Sequence, residues 1–317
     1  MLRYIGKRIA QAVPIVFIVC VLCFALIQIA PFDAIDMLVR PDMPPEMVQA
    51  LKARYGLDEP AHIQFLSWLG RMLSGDLGYS LVNHQSVAFG LMSRLPNTIL
   101  LVLPSYTIAV ALSVVLGLLA GMKRGGKLDR IVDTLCSVGM ATPTFWIGMM
   151  LIYIFAYMLN LLPVLGMHTL GQEARFVDML RHMILPCATL VSAFLPETTR
   201  YVRSAAISRY QENYVMVQRA FGSSEPQILF GHVMKNALLP VITLVGMSLP
   251  MLITGAFITE SIFSWPGVGT YFLTAIQGLD YPVIMVVLLF SSIMVILGNL
   301  LADICYCLVD PRIKSVR

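Results

Sequence analysis

Residues 219–237 read "RAFGSSEPQILFGHVMKNA", a polar, glycine-broken stretch between two of the most apolar parts of the chain. Ala220, Gly222 and the pair Ser223 and Ser224 have the order of a helix end, a turn and an N-cap, and Glu225 and Pro226 suit the first turn of a following helix. That helix presents Ile228, Leu229 and Val233 along one stripe and runs to Pro240, where the next apolar run begins. The reading is a short amphipathic helix, turned from its neighbours, on one surface of a membrane protein. Such a helix can serve as a handle for a partner that must push on the flanking segments; an ordinary connector is the alternative.

The surrounding composition demands a bilayer. Of the residues 58% are hydrophobic and only 13% charged, against about a quarter charged in soluble domains, and the mean hydropathy is +0.79. A hydrocarbon layer about 30 Å thick needs about 20 apolar residues of helix. Six stretches qualify, roughly 9–30, 98–121, 132–160, 183–206, 238–263 and 283–308. The first follows Arg3, Lys7 and Arg8 as a signal peptide would, but its length and the absence of a small-residue cleavage site favour a retained anchor.

An even number of spans puts both termini on one side. Most of the 22 lysines and arginines then fall in the segments that share a side with the termini, and the positive-inside rule makes that side the cytosol. The net charge of +4 reflects this asymmetry, and no basic stripe interleaved with aromatics points to nucleic acid. All six cysteines lie within apolar spans as small fillers, and the five histidines show no HExxH or paired Cys/His spacing.

The expected organisation is an anchor helix at 1–30, a periplasmic segment at 31–97, a five-helix core at 98–308 containing the cytosolic loop 210–237, and a tail at 309–317. Within the outer segment, Pro44 and Pro45 open an apolar-periodic run that stops at Gly56. A second short helix is expected over "PAHIQFLSWLGRML", with Phe65, Trp68, Leu69 and Met72 on one face. No GxxxxGK[ST] occurs, since "RGGKLD" at 124–129 lacks the spaced first glycine and the hydroxyl. Any nucleotide hydrolysis that drives this protein must occur on another chain.

"YVMVQRAFGSSEPQILFGHVMKNALLP" resembles the EAA loop of bacterial ABC importer membrane subunits, in the form typical of the dipeptide, oligopeptide and nickel permease family. The family's glycine matches Gly222, and His232, Asn236 and Pro240 stand where its "RHxxxNALLP" pattern expects them. Met216, Val217 and Gln218 replace the Glu-Ala-Ala core, and Phe221 stands where a lysine is common. "YGLDEP" at 55–60, "GDLGYS" at 75–80, "RLPNT" at 94–98, "ATPTFW" at 141–146, "HMILP" at 182–186, "ESIFSWPGVG" at 260–269, "DYPV" at 280–283 and "DPRI" at 310–313 are similar to family blocks in family order.

The resemblance implies an all-α, multi-pass inner-membrane protein with six transmembrane helices, the type I ABC importer permease fold and cytoplasmic termini. It implies a second related permease subunit, two ATPase subunits that carry ATP and Mg²⁺, and an external substrate-binding protein. No cofactor, metal or catalytic residue is expected on this chain. ATPase coupling would fall to Gln218, Arg219, Ala220, Phe221, Gly222, Ser223, Ser224, Glu225, His232 and Asn236. Peptide import is the first reading, with nickel or a metal chelate as the sister reading.

A secondary transporter would need midplane charges and inverted repeats, and an integral-membrane enzyme would need a clustered nucleophile and base. The sequence shows no such repeat and no such cluster. Ionisable groups inside spans need a reason. Glu197 can pair with Arg200 at i and i+3 or line a pathway. Asp303 can bond a neighbouring helix, snorkel or line a pathway. The "SWPGVG" segment after Glu260 is read as an external turn and candidate gate, with Gly267 and Gly269 free to take positive φ and Trp265 suited to the interfacial belt.

Overall fold

The computed structural model describes residues 2–29, 39, 43–171, 173, 175–238, 241 and 256–309. Among them every regular element is helical, and Tyr79 and Ser86 form an isolated β-bridge. In chain order come α1 (Leu2–Ile29), α2 (Pro45–Tyr55), α3 (Ala61–Leu73), α4 (Val87–Met122) and α5 (Lys127–Ala141). Then α6 (Thr144–Leu151) continues as a π-helical segment, Ile152–Met158, and is followed by α7 (Phe176–Tyr210) and α8 (Asn213–Ala220). Next, α9 is a single rod made of Glu225–Ile228, a π-helical stretch Leu229–Val233 and Met234–Ala237. Last are α10 (Phe257–Ile262), α11 (Val268–Gln277) and α12 (Tyr281–Val309). Two compact units partition the chain: Met1–Asn97 with Pro266–Ile296, and Thr98–Trp265 with Leu297–Arg317.

In the first unit, local rules set the short helices. Pro45 needs no helical N–H partner at the start of α2. Gly56 ends it at φ +67°, and the N–H groups of Gly56 and Leu57 return to the carbonyls of Ala53 and Lys52. This Schellman closure favours glycine because a Cβ is costly in the left-handed region. On α3, Phe65, Trp68, Leu69 and Met72 are half-buried, as the periodicity predicts, together with Gln64. The Phe65 ring meets Phe17 and Phe24 of α1 edge-on, at centroid distances of 5.9 and 5.4 Å.

A second core of this unit joins Val87 and Leu91 to Val268, Tyr271, Val283 and Val286. The Arg94 guanidinium lies 4.4 Å from the centre of the Tyr271 ring. The turn after Gly78 is tied down by the buried carboxylate of Asp280, which accepts the Ser80 hydroxyl and, at 3.1 Å, the Leu81 N–H.

The second unit corrects one sequence expectation. The predicted span 132–160 is broken: α5 and α6 meet at 98°. Pro143 is the cause, because its ring excludes the helical conformation for the preceding residue, and Thr142 is extended at φ −93°, ψ 124°. A core of Leu101, Tyr106, Leu190, Phe194 and Trp265 joins α4 and α7 to the segment after α10.

Further along the same pair, α4 and α7 approach so closely that a Cβ on Gly117 would lie 2.7 Å from Val202 Cβ. One on Gly121 would lie 2.6 Å from Ala206 Cβ. Glycines four apart give α4 a flat strip on which α7 rests.

Three described helices are long and apolar enough to cross a bilayer: α4, α7 and Tyr281–Leu301 of α12. The bent α5–α6 pair makes a fourth if it is one span. In α1 the apolar stretch is the shorter Val13–Ala25. Most of the fifth expected span, residues 242–255, lies outside the described residues.

Candidate functional site

The stretch that opened the sequence reading folds as a capped turn between two helices. At the end of α8 the Ser223 N–H returns to the Gln218 carbonyl (3.1 Å) and the Gly222 N–H to the Arg219 carbonyl (3.0 Å). Gly222 takes φ +80°. This is the Schellman arrangement again, with glycine at the left-handed position. Ser224 then caps α9 in a capping box with Gln227, whose side-chain oxygen accepts the Ser224 N–H at 2.8 Å.

Two side-chain contacts brace the turn. Arg219 pairs with Glu225 through Nε at 2.8 Å and Nη2 at 3.3 Å, and Ser223 Oγ donates to Gln218 Oε1 at 3.0 Å. The Glu225 carboxylate holds the Arg219 guanidinium above its ordinary pKa. The turn is thus rigid for its size, while its outer surface is open. Ala220 and Gly222 are exposed, Phe221 is 83% exposed, and Met216, Val217 and Phe230 also face outward.

The inward side of α9 is the predicted stripe. Ile228, Leu229, Val233 and Ala237 are buried with Val215, against Leu118 of α4 and Val202 and Ala206 of α7. Burying side chains of this size stabilises by about 1.5–3 kcal/mol each, so α9 is anchored to the α4–α7 pair by its own packing. The π-helical stretch widens the rod at Leu229–Val233, a deviation that recurs at functional positions. His232 is exposed, its ring 6.4 Å from that of Tyr214. Asn236 occupies the last turn of α9, and its side chain lies outside the described residues.

Beside this loop sits an ion pair that sequence reasoning missed. Asp129 on α5 is 3% exposed and is gripped by both the Nε and Nη2 of Arg203 on α7, with Nη2 at 3.1 Å. The oxygen that accepts Nη2 also accepts the Gly125 N–H at 2.7 Å, and Asp133 lies 3.5 Å from the same guanidinium. The partners are 74 residues apart, so no local pattern announces them. Gly117 and Gly121 did carry a signal, the G-x-x-x-G spacing inside an apolar run.

The other singled-out residues lie apart from this loop in the sequence. Glu197 and Arg200 are both exposed; among the described residues no ion pair joins them, and Arg200 instead reaches the Met140 sulfur at 3.6 Å. Asp303 lies on α12, its side chain outside the described residues. Glu260 is fully buried and accepts a hydrogen bond from Thr98 Oγ1 at 2.7 Å. Trp265 is fully enclosed in the protein core rather than in an interfacial belt, its N–H bonded to the Glu260 carbonyl at 2.8 Å. Gly267 caps α11 in extended conformation, and the positive φ of this turn falls on Ser264, at 50°. The turn is held by the Glu260 carbonyl and by core burial, so the glycines are not where its left-handed residue is needed.

Apolar helices long enough to span a bilayer, with a surface loop packed on two of them, are the frame of an integral membrane protein. Residues 113–315 match the family described as "Binding-protein-dependent transport system inner membrane component", and residues 1–102 match its N-terminal counterpart. The chain therefore belongs to this family of ABC importer permeases. It is 38% identical over 315 residues to the oligopeptide transport system permease protein AppB of Bacillus subtilis, covering 99% of this chain and all of that protein. Over 336 residues it is 34% identical to the di/tripeptide transport system permease protein DppB of Pseudomonas aeruginosa, covering all of both chains. The glutathione transport system permease protein GsiC of Escherichia coli is 32% identical over 314 residues, with 99% of each covered.

Proposed function

We propose that this chain forms half of the translocation pathway of an ATP-driven peptide importer. A second, related permease subunit supplies the other half, two ATPase subunits bind below, and a substrate-loaded binding protein docks outside. The chain spans the inner membrane six times with both termini in the cytosol, in the type I importer arrangement. Peptides are the favoured substrate because the relatives named above are peptide and glutathione permeases.

The observation that carries the coupling role is the two-sidedness of residues 213–237. One side, led by Phe221, is exposed and apolar on a turn braced by its Schellman closure, capping box and ion pair. The other side is buried on α4 and α7. When the ATPase subunits close, a displacement of the turn is carried by α9 into the two helices it is packed on, because a close-packed contact transmits rather than absorbs small movements. ATP and Mg²⁺ act on the partner subunits, and this chain converts their motion into alternating access.

The test is Gly222→Asp in proteoliposomes holding the complete importer, read by ATP hydrolysis stimulated by loaded binding protein. A Cβ at Gly222 meets no atom within 4 Å, and aspartate visits the left-handed region more readily than most residues, so the variant should fold and insert. It should lose stimulated hydrolysis or ATPase binding. Wild-type stimulation in an assembled Gly222→Asp complex would reduce residues 219–237 to a connector.

A further inference from the structure

The first unit contains a cavity of about 530 Å³. It lies among the end of α1, the α2–α3 turn, α3, the turn over residues 76–84 and the first turns of α12. Its volume is that of a small-molecule site. Phe24, Leu57, Trp68, Met72, Leu77 and Met285 make most of it apolar. Arg71, Glu59 and His84 also line it, and among the described residues their side chains have no hydrogen-bond or ion-pair partner.

The walls are built rather than loose. Asp280 clamps Ser80 and Leu81, and the lining residues Gly56, Gly78 and His84 all stand at positive φ, 67°, 76° and 57°. A non-glycine residue held there by its surroundings is a recurrent feature of ligand clamps. At the rim the Gln64 amide donates to the Leu57 and Glu59 carbonyls at 3.2 and 2.8 Å, and accepts from Gln28 at 2.9 Å.

We infer that this cavity is a binding site for a short zwitterionic peptide, held by its two ends before it enters the pathway. The inference rests on the reading of the chain as a peptide importer with this unit on the outer side. The planar Arg71 guanidinium suits a terminal carboxylate, the Glu59 carboxylate suits a terminal ammonium, and the aromatic and aliphatic lining receives an apolar side chain. A phospholipid with an ethanolamine headgroup offers the same pair of charges, and the experiment separates the two.

The complete importer is placed in phosphatidylcholine nanodiscs and exposed to a tripeptide carrying a photoactivatable leucine, supplied free, N-acetylated or C-amidated. The free peptide should label residues of the cavity. Each blocked form should label about tenfold less, the scale of one charge-assisted hydrogen bond. Arg71→Gln should erase the penalty for C-amidation alone, and Glu59→Gln that for N-acetylation alone; both positions are exposed, so these variants should fold.

Equal labelling by free and doubly blocked peptide overturns the inference. So does a phospholipid that stays bound in native mass spectrometry, prevents labelling and is released by Arg71→Gln. ATP hydrolysis stimulated by loaded binding protein is read in the same preparation. Stimulation without labelling sinks the cavity site alone, whereas absence of both in the wild type sinks the importer reading with it.

Discussion

Replacing Gly121 by alanine puts a methyl carbon 2.6 Å from Ala206 Cβ and 3.1 Å from the Arg203 carbonyl oxygen. Carbon atoms rest at about 3.5–4.0 Å, so α4 and α7 must part by about 1 Å at this point. Overpacking of this kind costs about 1–3 kcal/mol. Alanine regains about 1 kcal/mol over glycine within a helix, which leaves a net loss of roughly 0–2 kcal/mol. Combining it with Ala206→Gly removes the opposing methyl, so the double variant should recover stability relative to the sum of the singles, with an interaction energy of about 1–3 kcal/mol.

Gly231→Ala is the control, because a Cβ there meets nothing within 4 Å and only the propensity gain remains. The assay is reversible unfolding of the purified chain in mixed micelles, with stimulated ATP hydrolysis in the assembled importer measured alongside. Val202 and Ala206 also carry the buried face of α9, so Gly121→Ala should weaken coupling even where assembly persists. If Gly121→Ala stabilises as much as Gly231→Ala, the helices do not approach as described and the reasoning fails.

Other substitutions separate anchoring from docking. Ile228→Ala should destabilise by about 2–4 kcal/mol through loss of buried volume. Phe221→Ala should change stability by less than about 0.5 kcal/mol yet abolish stimulated hydrolysis; equal effects of the two on unfolding would contradict the two-sided loop. Asp129→Asn leaves Arg203 with only the more distant Asp133 and should cost about 1–3 kcal/mol, so a shift in unfolding midpoint no larger than that of Glu197→Gln would speak against the pair. Thr98→Val removes a donor from the buried Glu260 carboxylate and should cost about 1–3 kcal/mol. Thr98→Ser should restore it, and a serine variant as unstable as valine would show that the hydroxyl is not what matters.

Much of the loop over residues 213–237 was legible because its rules are local. Gly222, Ser224 and Pro226 act through backbone sterics and hydrogen bonds within a few residues. The stripe Ile228, Leu229 and Val233 follows from helical spacing alone. The same holds for the α2 stop at Gly56 and for the half-buried face of α3. In the "SWPGVG" turn the positive φ falls on Ser264 rather than on either glycine, because glycine is permitted positive φ but not compelled to use it. Burial of Trp265 in the core and the Trp265 N–H to Glu260 carbonyl bond set the turn instead, with Ser264 as the left-handed residue.

By itself, then, the sequence determined that this is a helical membrane protein, where its helices start and stop in the loop, and which side of α9 is apolar. Those properties come from hydrophobic periodicity, capping and the steric limits of proline and glycine, which operate over a few residues. Only the tertiary structure decided that α5 and α6 part at 98°, and that Asp129 answers to Arg203 rather than Glu197 to Arg200. It alone joined Glu260 to Thr98 across 162 positions, set Gly117 and Gly121 against α7, and enclosed a cavity lined by Arg71 and Glu59. A buried charge must find a partner and a close approach must find a small residue, and which partner is found depends on how the chain returns on itself in space.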